Sequence, residues 1–297
     1  MIFELKKMNA MLTLRRRESL AGLLFAAIPV IGFAVFYIIP FCISVQKTFT
    51  APNDDQYIGF SHYTSVLHSD AFLLAVGNTL KFIAIGVPLL MVLALALGII
   101  LNSRVRGMDG FRAVYVLPMV LPTASVILVF QIVFDSGGII NYILSKLGCS
   151  IVAILNSANA FWVLLLLYIW KNVGYIIILM LAGLNQIPKE YYESANIDGA
   201  DWFHQFVGIT VPLMTPTFFF IMIISISGAF KSFREAFALS GSYPHKSIYM
   251  LQHFMNNNFA RMNYPRLSVA AVLTFLIIFA FVLVLYLWRG KGGEPIV

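Results

Sequence analysis

Charge is scarce in this 297-residue chain: Asp, Glu, Lys and Arg together make up 11% of it, with 13 acids against 20 basic residues. Set beside a hydrophobic fraction of 60%, that leaves a water-soluble fold too little polar surface to cover itself. Cysteine is nearly missing, and Cys42 and Cys149 supply neither a disulfide framework nor metal-ligand spacing. His62, His68, His204, His245 and His253 stand at non-ligand spacings, so no metal site is expected. A Gly-rich phosphate loop, an internal repeat and a low-complexity tract are all lacking. These absences exclude a disulfide scaffold, a disordered chain, a coiled coil and most soluble enzymes. What remains is apolar: mean hydropathy is +0.86 and aromatics reach 14%, a surface lipid accepts and water does not. The chain reads as an all-α polytopic membrane protein. Its net charge of +7 is judged by distribution rather than sum, and no nucleic-acid partner is expected.

A membrane helix needs about 20 mostly apolar residues. Six stretches meet this: Leu20–Ser44, Ala71–Leu101, Phe111–Phe134, Ala160–Leu184, Val211–Phe233 and Leu267–Trp288. The first is too long for a signal h-region and lacks a clear cleavage site, so it reads as a retained span. Gly138–Leu155 is barely long enough and is broken by Lys146 and Gly148; an interfacial helix pair or a re-entrant segment is expected there. With the amino terminus inside, the cytoplasmic segments hold Lys6, Lys7, Arg15, Arg16, Arg17, Arg104, Arg106, Arg112, Lys189, Arg289 and Lys291. The outside then holds only Lys47, Lys146, Lys246, Arg261 and Arg266, which places both termini in the cytoplasm. The expected division is a cytoplasmic segment 1–19, a six-span domain 20–289 and a cytoplasmic tail 290–297.

Ile187 to Pro212, IPKEYYESANIDGADWFHQFVGITVP, is unlike a passive connector. Pro188 suits the first position of a short helix, Glu190 favours its first turn, and Gly199 supplies a free corner. Asp198 or Asp201 can then start a second short helix through Phe206. Tyr191, Tyr192, Trp202 and Phe203 among acids suit the filling of a groove on a partner protein. The order Glu193-Ser194-Ala195, Gly199, Ile209, Val211-Pro212 resembles the EAA loop of permease subunits of binding-protein-dependent ABC importers, with Ser194 in place of the usual first Ala. The wider run LAGLNQIPKEYYESANIDGA is similar to the carbohydrate-uptake branch with its maltose-type and glycerol-3-phosphate-type permeases, as are YIGFSHYTSVL, NTLKF, YVLPMVLPTASV and AFKSFREAFALS. Ser240-Gly241-Ser242-Tyr243-Pro244 departs from the usual Thr-Gly-Gly-Gly-Pro, and Tyr264-Pro265-Arg266-Leu267 from the usual small residues.

The resemblance implies a type I importer permease fold in a bacterial or archaeal cytoplasmic membrane, without catalytic residues. Its implied partners are a second permease, two ATPase subunits that hold ATP and Mg, an extracellular solute-binding protein and the lipid bilayer; this chain would bind no cofactor or metal. Glu193, Ser194, Ala195, Asp198, Gly199, Ala200, Ile209 and Pro212 would form the ATPase-coupling loop. Counting from that loop onto the maltose-type sugar contacts gives Lys171, Asn172 and Tyr175 in the fourth span, and Ser225, Gly228, Ala229 and Ser232 in the fifth. An aromatic ring beside hydroxyls and amides suits a sugar, although small and hydroxyl residues also serve ordinary helix contact. Asn78, Lys81 and Gln131 are weaker pathway candidates. Lys171 has no partner in its own span; it snorkels, pairs with Glu235 or a partner permease, or meets a substrate oxygen. Lys231 stands one turn before Glu235, so Lys231 and Arg234 are expected to be neutralised locally by that acid. Three free cations, Lys171, Lys231 and Arg234, would instead favour an anionic solute such as glycerol 3-phosphate or a uronate oligosaccharide. A stand-alone secondary transporter is the alternative of another class, and it would call for an inverted repeat and a buried acid.

Overall fold

A computed structural model of the chain describes residues 19, 21–51, 56–102 and 117–290, with side chains through 287. The segments 1–18 and 291–297, and the basic residues Lys6, Lys7, Arg15, Arg16, Arg17, Arg104, Arg106, Arg112 and Lys291, lie outside the described residues. Among the described residues, six helical stretches are long and apolar enough to cross a membrane. We label the helices α1 (Ala21–Lys47), α2 (Ser61–Leu67), α3 (Asp70–Asn102), α4 (Thr123–Phe134), α5 (Ile139–Lys146), α6 (Ala160–Asn185), α7 (Lys189–Ile197), α8 (Trp202–Ser240), α9 (Leu251–Ala260) and α10 (Tyr264–Gly290).

The spans start and stop where backbone chemistry changes rather than where hydropathy does. The apolar window Val211–Phe233 is the middle of α8, which runs from Trp202 through a five-residue π stretch, Phe206–Thr210, with one turn residue at Ser232 before its last two turns. The last helix likewise begins at Tyr264, ahead of its apolar window. In the third span Pro122 is extended (ψ 128°) and acts as the N-cap of α4, while its ring disfavours helix at Leu121 and so ends the turn before it. Phe111–Phe134 is therefore not one rod: a helical turn at 117–120 precedes Pro122, and the 24-residue spanning candidate is Thr123–Lys146, α4 and α5 together. Beyond α5 the chain is irregular to Asn159, so Gly138–Leu155 holds one short helix, not a pair.

The core is the packing of α3, α6 and α8. A Cβ at Gly86 would lie 3.1 Å from Leu165 of α6, and one at Gly98 would lie 3.3 Å from Met180. Twelve residues further along α3 the contact has moved fifteen further along α6, so the two helices run parallel. Parallel neighbours require an odd number of crossings between them, which leaves room for one span between Asn102 and Ala160 and rules out Gly138–Leu155 as a further full crossing. α8 runs the other way, with Gly228 near Tyr168 and Met214 near Gly183. Phe41 of α1 meets Phe275 of α10 at 5.0 Å, while the most apolar window of α1 buries none of its residues against this chain. Such a face is suited to lipid or to another membrane subunit.

At one end, α9 and the turn before it close over α3 and α8. Asn78 donates to the carbonyls of Lys246 and Tyr249, and Thr79 Oγ1 accepts from the Leu251 N–H at 3.0 Å. His253 is fully buried, its Nδ1 accepting from the Met250 N–H at 3.1 Å, its ring edge-on to Phe233 at 4.6 Å. Burial pulls its pKa down from 6.5 to about 4. The unfolded chain therefore takes up this proton first, so stability falls as pH drops from 6.5 toward 4 and is flat above. We expect roughly 2–3 kcal/mol to be lost over that window. Thermal unfolding of the detergent-solubilised protein at stepped pH checks it: His253→Gln should remove most of this acid-dependent loss.

Candidate functional site

The end of the bundle opposite α9 carries the Ile187–Pro212 segment, and its corner is built from backbone rules alone. Pro188 is the N-cap of α7, in extended conformation, one residue ahead of the position expected for it. At the far end, Gly199 adopts φ +76°, its N–H donates to the Asn196 carbonyl, and the Ala200 N–H reaches back to Ala195 at 2.9 Å. That pair of bonds with a left-handed residue between is the Schellman closure, which glycine accepts without a Cβ penalty. Two residues later, Asp201 caps α8 by accepting from the His204 N–H at 2.8 Å. That bond holds the Asp201 carboxyl below the usual carboxylate range. Of the two cap candidates, Asp201 starts the second helix, and Asp198 is the exposed C-cap of the first.

Cross-links make the corner a rigid body. Gln205 donates to Asn196 at 2.6 Å and to the Ala200 carbonyl at 2.9 Å, Trp202 stacks on Phe206, and the Tyr192 hydroxyl meets Thr210 Oγ1 at 2.8 Å. Outward it presents Glu193, Ser194, Asp198 and Gly199, with Ile197 87%, Trp202 64% and Phe203 62% exposed. Ala195, Ala200 and Ile209 are half-buried against the bundle, and Pro212 is exposed. Large apolar side chains standing free on a fixed corner are what a docking surface offers. The second helix is not a separate unit as expected; it is the first turn of α8, so displacement of the corner is transmitted directly into a spanning helix.

The candidate pathway residues fall into two groups. Asn172 donates to the Tyr168 carbonyl at 2.7 Å, and the Tyr168 hydroxyl donates to the Ser225 carbonyl at 2.8 Å, so Tyr168 links Asn172 with the fifth span. Ser225, Ala229 and Ser232 are buried, with Ser232 bonded weakly to the Gly228 carbonyl at 3.4 Å; Asn172, Tyr175 and Gly228 are half-exposed. Lys171 points elsewhere, to Glu235 Oε1 at 2.7 Å and Thr123 Oγ1 at 2.9 Å. Glu235 therefore neutralises Lys171, not Lys231, and no described acid lies within 4 Å of Lys231 or Arg234. Nearby, Gln131 holds the carbonyls of Ala238 and Leu239, while Lys81 lies over the Phe161 ring at 4.6 Å. Tyr168 was not singled out by sequence; a buried hydroxyl in an otherwise apolar run, which must find an acceptor, was the available signal.

Six apolar spans around a packed three-helix core, with a rigid exposed corner rooted in the fifth, define an integral membrane permease subunit. The family match extends over residues 91–290, and the chain belongs to the binding-protein-dependent transport system inner membrane components. It is 31% identical over 284 residues to the trehalose/maltose transport system permease protein MalF of Thermococcus litoralis, covering 94% of this chain and 96% of that protein. Its fold matches a chain of a bacterial ABC transporter involved in import of the acidic polysaccharide alginate, with a TM-score of 0.80 at 21% identity over 95% and 99% of the two chains. A bacterial alginate transporter in complex with alginate pentasaccharide-bound periplasmic protein gives 0.77 at 23% identity, over 91% and 93%. The protein is a permease subunit of an ABC importer.

Proposed function

We propose that this permease subunit carries a sugar or oligosaccharide delivered by an extracellular solute-binding protein, paired with a second permease and driven by two separate ATPase subunits that hold ATP and Mg. The observation that carries the reading is the closed, capped corner at Gly199–Asp201, which offers Glu193 and a free apolar edge to a partner and is continuous with α8. A trehalose/maltose permease as relative supports the saccharide. Basic residues concentrated on the Ile187–Pro212 side support a cytoplasmic corner and cytoplasmic termini. Glu193, Ser194, Ala195, Asp198, Gly199, Ala200, Ile209 and Pro212 form the ATPase contact. Asn172, Tyr175 and Gly228, half-exposed, face the path, with Ser225, Ala229 and Ser232 packing behind them. Lys171, held by Glu235, does not supply a free charge for an anionic solute there.

ATP hydrolysis shifts the helices between states, and the corner passes that shift to α8. Reconstituted complexes test this. Gly199→Pro needs φ near −65° where the native value is +76° and removes the N–H that Asn196 accepts. It and Glu193→Lys should each lower ATP-dependent maltooligosaccharide uptake about tenfold or more while the chain still inserts, a coupling change of at least about 1.4 kcal/mol. Uptake that persists without ATP and collapses with the ion gradient would identify a secondary transporter instead.

A further inference from the structure

A cleft of about 360 Å³ at the α9 end serves none of the roles above. α3 is 33 residues, about 50 Å, long. Its first turn, with Ala71 and Leu74, lines this cleft, and its last, with Ile99 and Asn102, lines the cavity behind the Lys189–Gln205 corner. The cleft therefore lies at the mouth opposite the ATPase-facing end. Its wall carries Tyr243, Tyr249, Asn257, Asn258, Arg261 and Arg266, with Lys246 beside them.

Both guanidinium groups are fixed without an acid. Arg261 lies over the Tyr243 ring at 6.0 Å and donates to its hydroxyl at 3.0 Å. Arg266 lies over the Phe254 ring at 5.9 Å and donates to the Ser65 carbonyl at 3.5 Å, while its covered Nε has no acceptor among the described residues. Among the described residues, no carboxylate comes within 4 Å of Arg261, Arg266 or Lys246; Asp70, next to the cleft in sequence, pairs with none of them. The turn that joins α9 to α10 holds Met262 at φ +56°, an unfavourable conformation for a non-glycine residue, and carries the two arginines to one cleft. Asn257 uses its amide N–H on the Ser242 carbonyl and Tyr249 hydroxyl, and Asn258 uses its own on Phe254; among the described residues the oxygen end of each amide takes no bond.

Each feature has a chemical counterpart. Fixed arginines recognise a carboxylate in planar, bidentate fashion. Tyrosine faces take the apolar face of a sugar ring, and amides with phenol hydroxyls take its hydroxyl groups. An acidic side chain of a docked protein would use the arginines and leave rings and amides idle. We propose that this cleft is a binding subsite for a carboxylate-bearing sugar residue, a uronate, met at the mouth ahead of the translocation path. The proposal rests on the saccharide-import reading and names the substrate class.

Arg261 and Tyr243 are exposed, so Arg261→Gln and Tyr243→Leu leave the fold intact. Ligand-observed NMR on the purified importer complex, without its solute-binding protein, measures binding of trigalacturonate, maltotriose and a glutamate-containing tetrapeptide at millimolar concentration. Trigalacturonate should bind at least tenfold more tightly than either other probe; Arg261→Gln should weaken it about tenfold while leaving maltotriose unchanged, and Tyr243→Leu should weaken both sugars. No trigalacturonate binding, binding that both variants leave intact, or tetrapeptide binding of equal strength overturns the subsite, the last in favour of a protein-docking surface. ATP-driven uptake of trigalacturonate and of a neutral oligosaccharide by the same complex, reconstituted into liposomes with its solute-binding protein, separates the two readings. Uptake without cleft binding removes the subsite alone, and cleft binding without any uptake removes the import reading.

Discussion

Replacing Lys171 with Met lowers the stability of the folded protein by about 3–5 kcal/mol, the cost of leaving a buried carboxylate without its partner. Lys171 and Glu235 side chains are 14% and 15% exposed, their charged atoms are 2.7 Å apart, and Thr123 adds a bond to the lysine at 2.9 Å. The cluster joins the middle of α6, the start of α4 and the far end of α8. Attraction at that distance is offset by the desolvation of both ions, so the pair as a whole contributes little, whereas half of it contributes a large penalty. Lys171→Met with Glu235→Leu should therefore recover most of what the single change loses. Chemical unfolding in detergent, run as a double-mutant cycle, reads the coupling directly. A double variant no more stable than Lys171→Met alone would show that the two charges do not act as a pair.

That same pair marks where sequence reading stops. Spans and corner were legible because their signals are local: twenty apolar residues in a row, a glycine where the chain must turn left-handed, an acid before a new helix. Glu235 has a lysine one turn away, and a local rule assigns it to Lys231; its actual partner is 64 residues distant in the chain. No window reaches that far, and only the packing of α6 against α8 brings them together. Tyr168 escaped for the same reason, since its bond to Ser225 spans 57 residues. Helix bounds failed differently. Hydropathy sees Val211 as the start of the fifth span, but the Asp201 cap sets where the helix begins, and nothing from Trp202 to Thr210 breaks it. The corner and the span share one helix for a reason that polarity does not encode.

The continuity of corner and span makes the crossing of α6 and α8 beneath it unusually sensitive. A Cβ added at Gly183 would lie 2.6 Å from Thr217 Oγ1, 2.8 Å from Thr217 Cγ2 and 2.8 Å from Met214 Sδ, and Met214 is fully buried. Glycine-to-alanine in a helix ordinarily gains about 0.5–1 kcal/mol. At Gly77, where nothing lies within 4 Å, that gain should appear. At Gly183 the contacts reverse the sign, because overpacking a closed interface costs about 1–3 kcal/mol. Gly183→Leu adds a larger side chain to the same gap and should separate α6 from α8. The corner hangs between these two helices and is tied back by Tyr192 to Thr210, so the separation should also reduce coupled uptake about tenfold. The distances name the remedy. Thr217→Ala removes two of the three offending atoms, and Met214 can swing its flexible end aside, so Gly183→Ala with Thr217→Ala should regain both stability and uptake. Thermal unfolding and ATP-dependent uptake of the two single variants, the pair and Gly77→Ala decide it. A pair no better than Gly183→Ala would mean that backbone spacing, not the Thr217 side chain, sets the limit.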